Sequence, residues 1–302
     1  MNNNKQIDPV ALFDEANDLQ AAGHNKKALE ILYDLYEHYT DVIEPSNLLM
    51  FIGVCHYNLV ENDKAYEIFL KAKDSLEEIE GNEFDFLHIC FHLGNLEYLS
   101  CEFEKAIQTF SQVEHLLSYY EDKGYYDCIQ IFYRNRGRCY VYLYKYLLAS
   151  KDLKMACQLL DKVDFGDDTE RIRNESIAYM DLLRSEIFRN EISNAKEYFA
   201  KVDVSVLTDF NLEDYYFLLM KYHFMADNYV ECRKAYLALE KIGLPKEHIY
   251  YIYYSLGMMD LKAEDYKSAK KYLELTIEDP DIPENDKKRI QGYLDHIRRS
   301  IN

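Results

Sequence analysis

The sequence predicts an all-α protein, an α-solenoid in which about seven helical hairpins follow one another. The first observation is a small residue that recurs seven times, with a large apolar residue four positions after it. The second is another small residue twelve positions before it, present in five of the seven copies. The small residues are Ala28, Ala65, Ala106, Ala149, Ala195, Cys232 and Ala269, and the earlier ones are Ala16, Gly53, Gly94, Gly137 and Gly257. Such recurrence is typical of stacked helical repeats.

The large residues of the pattern suggest how each hairpin packs. They are Leu32, Phe69, Phe110, Leu153, Phe199, Tyr236 and Leu273. Small residues allow two antiparallel helices to approach closely, and the large residue fills the groove beside them. Glycine inside a helix costs roughly 1 kcal/mol relative to alanine, so four glycines at one repeat position need a packing reason. Close contact between the two helices of a hairpin supplies that reason.

The elements follow in order from this frame, as one domain over residues 1–302. The seven units are expected to start near Pro9, Ser46, Leu87, Gln130, Ser176, Glu213 and Tyr250. Pro9 and Pro45 suit helix starts, where a missing N–H does little harm. The longest connection, Asp161–Glu175, is polar. Pro283 and Glu284 open a final charged helix, about 283–300, which fits the capping helix that terminal repeats need.

These units resemble tetratricopeptide repeats. The clearest copy is Leu49-x-x-Ile52-Gly53 followed by Ala65 and Phe69. The last copy, Tyr253-x-x-Leu256-Gly257, is nearly as good, whereas copies five and six depart from the pattern with Leu183 and Met220 at the small position. The resemblance implies a right-handed superhelix whose concave groove is lined by the first helix of each unit, and a function in protein or peptide binding.

Charge divides the chain unevenly. The net charge is −19, and residues 1–125 hold 8 Lys and 24 Asp or Glu, whereas residues 126–302 hold 27 Lys or Arg and 30 Asp or Glu. Nucleic acid is therefore an unlikely partner, because phosphate backbones are bound by a sustained basic face. No run approaches the roughly 18 apolar residues of a membrane span. Seven cysteines without a C-x-x-C pair indicate buried reduced thiols, and together these features predict a cytoplasmic protein without membrane contact.

A basic stripe flanked by aromatic residues is predicted on one face of the first helices. Unit positions 2, 5, 9 and 12 share a face because they follow helical spacing. The residues expected to line this groove are Asn95, Tyr98, Arg134, Arg138, Tyr142, Met180, Arg184, Phe217 and Lys221. One hypothesis is that the stripe binds an acidic or carboxylate-bearing peptide, since guanidinium groups hold carboxylates with two hydrogen bonds. The alternative is that Arg138, Arg184 and Lys221 pair with acidic residues of neighbouring helices, such as Asp181 or Asp214.

No catalytic chemistry is expected. Motifs for acyl transfer, phosphate binding, dinucleotide binding and zinc peptidases are absent from the sequence. His88 and His92 are four residues apart, a spacing that can bind a metal, but Cys90 points away on a helix and a third ligand is missing. We expect solvated or groove-lining histidines, no metal and no cofactor.

Two classes of function stay open at this stage. The first is a non-catalytic scaffold or adaptor that binds a protein or peptide. The second is a peptide-responsive bacterial regulator, since the long, tyrosine-rich units also resemble the repeat domains of the Rap and PlcR-like families. Those families add an output module before the repeats, and here the first unit starts by Pro9. We therefore expect such a regulator to act by capturing a partner.

Overall fold

The computed structural model describes residues 8–76, 80–280 and 282–301, and in these ranges the secondary structure is helical without strands. The predicted all-α fold class is confirmed. The chain divides into two compact units, Met1–Asp164 and Phe165–Asn302. The single domain over residues 1–302 stays a prediction.

The first compact unit contains four helical hairpins, each with a first and a second helix. The hairpins are α1 (Pro9–Ala21) with α2 (Asn25–His38), α3 (Pro45–Asn58) with α4 (Asn62–Ser75), α5 (Glu83–Leu99) with α6 (Phe103–Val113), and α8 (Tyr126–Tyr142) with α9 (Tyr146–Leu159). A short helix, α7 (Leu117–Lys123), lies between the third and fourth hairpins. Within this unit α2, α4 and α6 also pack on the first helix of the next hairpin, that is on α3, α5 and α8, so the apolar core continues from one hairpin to the next.

The second compact unit contains three further hairpins and a final helix. They are α10 (Asp168–Phe188) with α11 (Ala195–Phe199), α12 (Asp209–Met225) with α13 (Tyr229–Ile242), α14 (Ile249–Lys262) with α15 (Tyr266–Glu278), and then α16 (Glu284–Ile301). The fifth hairpin is unusual because its first helix has 21 residues and its second only 5. Leu183 and Met220, the large residues at the small position, are fully buried in the core of this unit.

Glycine contacts hold four of the hairpins together as the sequence predicts. Gly53 faces Phe69, Gly94 faces Phe110, Gly137 faces Leu153 and Gly257 faces Leu273. A Cβ atom at Gly257 would lie 2.7 Å from Cγ of Leu273 and 3.2 Å from its backbone nitrogen. Carbon atoms do not approach this closely without displacing something, so the fully buried Leu273 occupies the space that a side chain would need.

The turn between the two helices is the same in all seven hairpins. The fifteenth residue of each repeat has a left-handed backbone, with φ between 54° and 79°. These residues are Gly23, Val60, Cys101, Tyr144, Asn190, Asp227 and Glu264. In the second hairpin the N–H of Glu61 donates to the carbonyl of His56 at 3.0 Å, and that of Val60 donates to the carbonyl of Tyr57 at 3.0 Å. This bonding satisfies carbonyl groups at the end of the first helix.

The cysteines are free in the described residues. Cys55, Cys90, Cys139 and Cys232 are buried, as predicted, but Cys101 is exposed because it occupies a left-handed turn position. In the part of the chain that the structure describes, the helices are too short or too polar to cross a bilayer.

The glycine contacts lead to a first prediction. Gly257→Ala should lower the free energy of unfolding by about 1 kcal/mol, because overpacking costs about 1–3 kcal/mol and the better helix propensity of alanine returns only about 1 kcal/mol. The matched control is Gly292→Ala, an exposed position in α16 where a Cβ would meet nothing within 4 Å. It should raise stability by about 0.5–1 kcal/mol. Urea denaturation of both variants measures this, and equal effects would contradict the packing role of Gly257.

The left-handed turns lead to a second prediction. Val60 is β-branched, has φ of 61° and is 77% exposed, so its side chain contributes strain and little packing. Val60→Gly should raise the free energy of unfolding by about 1 kcal/mol, because the left-handed conformation costs roughly 1–2 kcal/mol in residues that carry a Cβ. The reciprocal change, Gly23→Val, should lower stability by a similar amount. Thermal unfolding followed by circular dichroism would compare them, and a neutral Val60→Gly would show that the turn is not strained.

Candidate functional site

The nine predicted groove residues are divided between the two compact units. Asn95, Tyr98, Arg134, Arg138 and Tyr142 belong to the first, and Met180, Arg184, Phe217 and Lys221 belong to the second. Each group is described within its own unit.

In the first unit, the predicted residues differ widely in exposure. Asn95 on α5 is 4% exposed, and its side-chain oxygen accepts a hydrogen bond from Nδ2 of Asn135 on α8 at 2.9 Å. Tyr142 is 55% exposed and stacks on the ring of Phe103, with the centroids 4.4 Å apart. Tyr98 is half-buried beside the same phenylalanine. Asn95 therefore joins two helices, and the two tyrosines offer a partly accessible aromatic surface.

The three neighbouring arginines of α8 have different environments. Arg136 is 4% exposed and bonds two carboxylates at once, with Nε 2.6 Å from Asp152 of α9 and Nη1 2.8 Å from Glu114. These bonds raise the pKa of Arg136 against the opposing effect of burial, and hydrogen bonding from Arg136 lowers the pKa of Glu114. Arg134 and Arg138 are half-buried, and each has interaction partners within the protein. Arg136 is thus a structural cation.

In the second unit, two of the predicted residues belong to the hydrophobic core. Met180 is 4% exposed and Phe217 is 1% exposed, and both pack in the core cluster of this unit. The ring of His248 stacks on Phe217 with centroids 3.9 Å apart. Helical spacing places both residues on the predicted groove face of their helices, but the packing of successive first helices covers them. Neither side chain is available to contact a peptide directly.

Arg184 forms the kind of internal pair that the alternative interpretation expected. Its guanidinium bonds Asp214 on the neighbouring first helix, and the two side chains are 30% and 16% exposed. His248 lies close to the pair; burial and the positive charge of Arg184 lower its pKa. Arg184 is therefore a partly accessible cation that already has a carboxylate partner.

Lys221 of α12 has a different environment. Its Nζ lies 3.8 Å from the ring centroid of Tyr251 on α14 and 4.6 Å from that of Phe188 on α10. Among the residues that the structure describes, no carboxylate lies within ion-pair distance of this nitrogen. Burial lowers the pKa of Lys221 from 10.5 to about 8. The first helices of three successive hairpins thus surround an ammonium group with aromatic rings and without a counter-ion.

The histidine pair of α5 is neither solvated nor arranged around a metal. Nδ1 of His88 lies 2.9 Å from the hydroxyl of Tyr120, and the Nε2 atoms of His88 and His92 are 3.3 Å apart. His92 also stacks on Phe69. Burial lowers the pKa of His88 to about 4 and holds that of His92 well below 6.5, so both are neutral near pH 7. Within the described ranges, clusters of three or more His, Cys, Asp or Glu with metal-site geometry are absent.

Comparison with known proteins gives a fold and no family assignment by sequence. No family model matches the chain, and no curated protein matches its sequence significantly. Among solved structures, the apo form of RapI shares 16% identity with a TM-score of 0.52, over 90% of this chain and 97% of that one. A tetratricopeptide repeat protein from Parabacteroides merdae shares 15% identity with a TM-score of 0.49, over 96% and 98% of the two chains. The chain therefore shares a helical repeat fold with RapI, and its hairpins keep the spacing of small and large residues that is typical of tetratricopeptide-like repeats.

The buried ion cluster of α8 leads to a third prediction. Arg136→Leu should lower the free energy of unfolding by about 3–5 kcal/mol, because it leaves the buried carboxylate of Asp152 without a partner. Adding Asp152→Leu should restore most of the loss, since replacing a whole buried pair by apolar residues is often neutral. Urea denaturation of the single and double variants at pH 7 tests this. A single variant as stable as wild type would contradict the structural role of Arg136.

Proposed function

We propose that this protein is a non-catalytic helical repeat protein that binds protein or peptide partners, and that its second compact unit binds a carboxylate through Lys221. The observation that carries the proposal is the position of the half-buried Lys221 ammonium between Phe188 and Tyr251, with no carboxylate within ion-pair distance among the described residues. A charged group that loses part of its contact with water is unfavourable unless a partner compensates it. A ligand that supplies the missing negative charge would stabilise the protonated lysine.

The surroundings of Lys221 favour an extended peptide over a small anion. Partly exposed apolar and aromatic side chains share its face of the first helices; they are Ile177, Phe224, Tyr251, Tyr254 and Met258. Aromatic side chains bury large areas on binding and are common in peptide-recognition surfaces. A terminal or side-chain carboxylate would bond Lys221 while neighbouring apolar groups of the peptide contact this surface. Arg184, which is 30% exposed, lies on the same face, but its charge is already compensated by Asp214.

The charge of the chain allows an acidic ligand at this place. The excess of carboxylates lies in residues 1–125, whereas residues 126–302 are nearly neutral, with 27 basic and 30 acidic residues. At physiological ionic strength, charges are screened over about 8 Å, so the local environment of Lys221 decides the electrostatic attraction. In the first unit, Asn95, Tyr98, Arg134, Arg138 and Tyr142 stay predicted contacts for the same peptide or for another segment of it.

The fourth prediction tests this proposal. Random heptapeptides with free C-terminal carboxylates would be selected on the intact protein, and the best peptide titrated by calorimetry. Lys221→Gln should weaken binding by roughly tenfold or more, because a charge-assisted hydrogen bond contributes roughly 1.5–3 kcal/mol. C-terminal amidation of the peptide should weaken it similarly if the terminus is the group bound.

The pH dependence provides the sharper control. Only protonated Lys221 attracts a carboxylate, and its pKa in the free protein is about 8, so affinity should fall as the pH rises from 7 to 9. Lys221→Arg should bind with little change over this range, because guanidinium stays charged up to about pH 12. Lys241→Gln, an exposed lysine of α13, serves as the matched charge control. Selected peptides without a carboxylate preference, or equal binding by Lys221→Gln, would disprove the site.

A further inference from the structure

A cavity lies in the first compact unit, between the second helix of one hairpin and the first helix of the following hairpin. It has a volume of about 430 Å³ and opens between α4 and the end of α5. Four acidic residues line it: Asp63, Glu67, Glu97 and Glu102. The residues of this cavity belong to the first unit, whereas Lys221 belongs to the second.

Glu97 gives this cavity a specific acceptor. The residue is 3% exposed, and only one of its carboxylate oxygens has partners: Oε1 accepts a hydrogen bond from the Tyr66 hydroxyl at 3.3 Å and lies 3.7 Å from Nζ of Lys105. The other oxygen, Oε2, is buried and accepts no hydrogen bond from any described residue. A buried carboxylate oxygen without a donor is costly, so a donor brought by a ligand would be bound favourably.

The same place in the second unit indicates which donor fits. Asp260 occupies the repeat position of Glu97, is 6% exposed, and lines a cavity of about 450 Å³ between α13 and α14. Arg233 occupies the repeat position of Tyr66, and its guanidinium bonds Oδ1 of Asp260. In both cavities the second carboxylate oxygen has no donor among the described residues. The second unit therefore supplies a guanidinium to its carboxylate from within the chain, whereas the first unit has a tyrosine there.

We propose that the cavity beside Glu97 binds an arginine side chain of a basic segment of a partner protein. The guanidinium would donate to Oε2 of Glu97, the oxygen that has no donor among the described residues, and the carboxylates of Asp63, Glu67 and Glu102 would surround it. Lys105 offsets only part of this charge, since it is one cation beside four lining carboxylates and bonds Glu102 and Tyr66 as well as pairing with Glu97. A planar guanidinium suits a carboxylate because it can donate two hydrogen bonds. The net charge of −16 on residues 1–125 would attract a basic segment before contact.

The absence of tryptophan from the chain makes a direct test possible. The probe is the peptide acetyl-Trp-Gly-Arg-Gly-amide, whose fluorescence is followed during titration with the full-length protein in 0.15 M salt. The matched control peptide has glutamine in place of arginine. We expect saturable binding of the arginine peptide and binding of the glutamine peptide that is weaker by roughly tenfold or more.

Three variants locate the binding. Glu97→Gln should weaken the arginine peptide by roughly tenfold or more while keeping the shape of the side chain. Tyr66→Arg should compete with the peptide by supplying an internal guanidinium, as in the second unit. Glu104→Gln removes the same charge from an exposed position of α6 outside the cavity, and should change affinity by less than roughly twofold because of screening.

The outcomes separate this proposal from non-specific attraction and from the Lys221 site. Equal binding of both peptides, wild-type affinity in Glu97→Gln and Tyr66→Arg, or equal weakening by Glu104→Gln would each overturn it. Circular dichroism confirms that the variants are folded. Glu97→Gln removes a negative charge and Tyr66→Arg adds a positive one at a different residue, so the test does not depend on either variant alone. Lys221→Gln should leave arginine binding unchanged, so either proposal can fail alone.

Discussion

The close approach of the two helices in a hairpin is the constraint on which the rest of this structure depends. In four hairpins a glycine of the first helix lies directly against a large residue of the second, from Gly53 with Phe69 to Gly257 with Leu273. The left-handed turn residue fixes where the second helix begins. Because the distance between the two helices and the conformation of the turn are both fixed, the same repeat positions face the neighbouring helices in each hairpin. Residues at one repeat position therefore have similar environments. Position eleven, for instance, is buried in four hairpins, as His56, Glu97, Glu186 and Asp260, and three of these side chains, those of His56, Glu97 and Asp260, bond a residue of the preceding second helix.

The part of the fold predicted from sequence is the part that depends on side-chain size. Small and large residues at fixed spacing indicate where helices touch, so the contact between Gly53 and Phe69 is predictable from the sequence alone. The turns escaped prediction because six of the seven left-handed residues are not glycine. Valine or tyrosine at such a position gives no local signal; hydrogen bonds from the helix end and the packed helices on either side impose the conformation. The shortness of α11 could not be predicted either. Ala195 and Phe199 keep the spacing of a small and a large residue, although the helix begins at the first of them and ends at the second.

For the candidate functional residues, the sequence predicts only which face of a helix they occupy. Helical spacing places Arg184, Phe217 and Lys221 on one side of their helices, but spacing does not reveal how deeply a neighbouring helix covers each position. Phe217 is consequently in the core, Arg184 has Asp214 as a partner, and Lys221 lies between two rings. Arg136 shows that the environment of a neighbouring arginine is equally hard to predict. It lies two residues from both Arg134 and Arg138 on α8, yet its side chain is directed towards Glu114 and Asp152. Depth and partner are properties of the tertiary packing, which the sequence of one helix does not contain.

A repeat fold allows its own positions to be compared as if they were variants of one site. Glu97 and Asp260 are carboxylates at the same repeat position, and the difference between Tyr66 and Arg233 decides whether the carboxylate is bonded by a tyrosine hydroxyl or by a guanidinium of the chain. The reverse holds at the ninth repeat position, where Arg184 has an internal carboxylate and Lys221 has none. Burying a polar group without a partner is unfavourable for the folded state. Among the described residues, Oε2 of Glu97 has no hydrogen-bond donor and the Lys221 ammonium has no carboxylate within ion-pair distance, and the two groups belong to different compact units. Stability alone would favour a pair such as Arg184 with Asp214, one repeat away from Lys221. As proposed for both sites, the missing partner would come from another molecule, and the opposite signs of Glu97 and Lys221 mean that two chemically different segments would be bound.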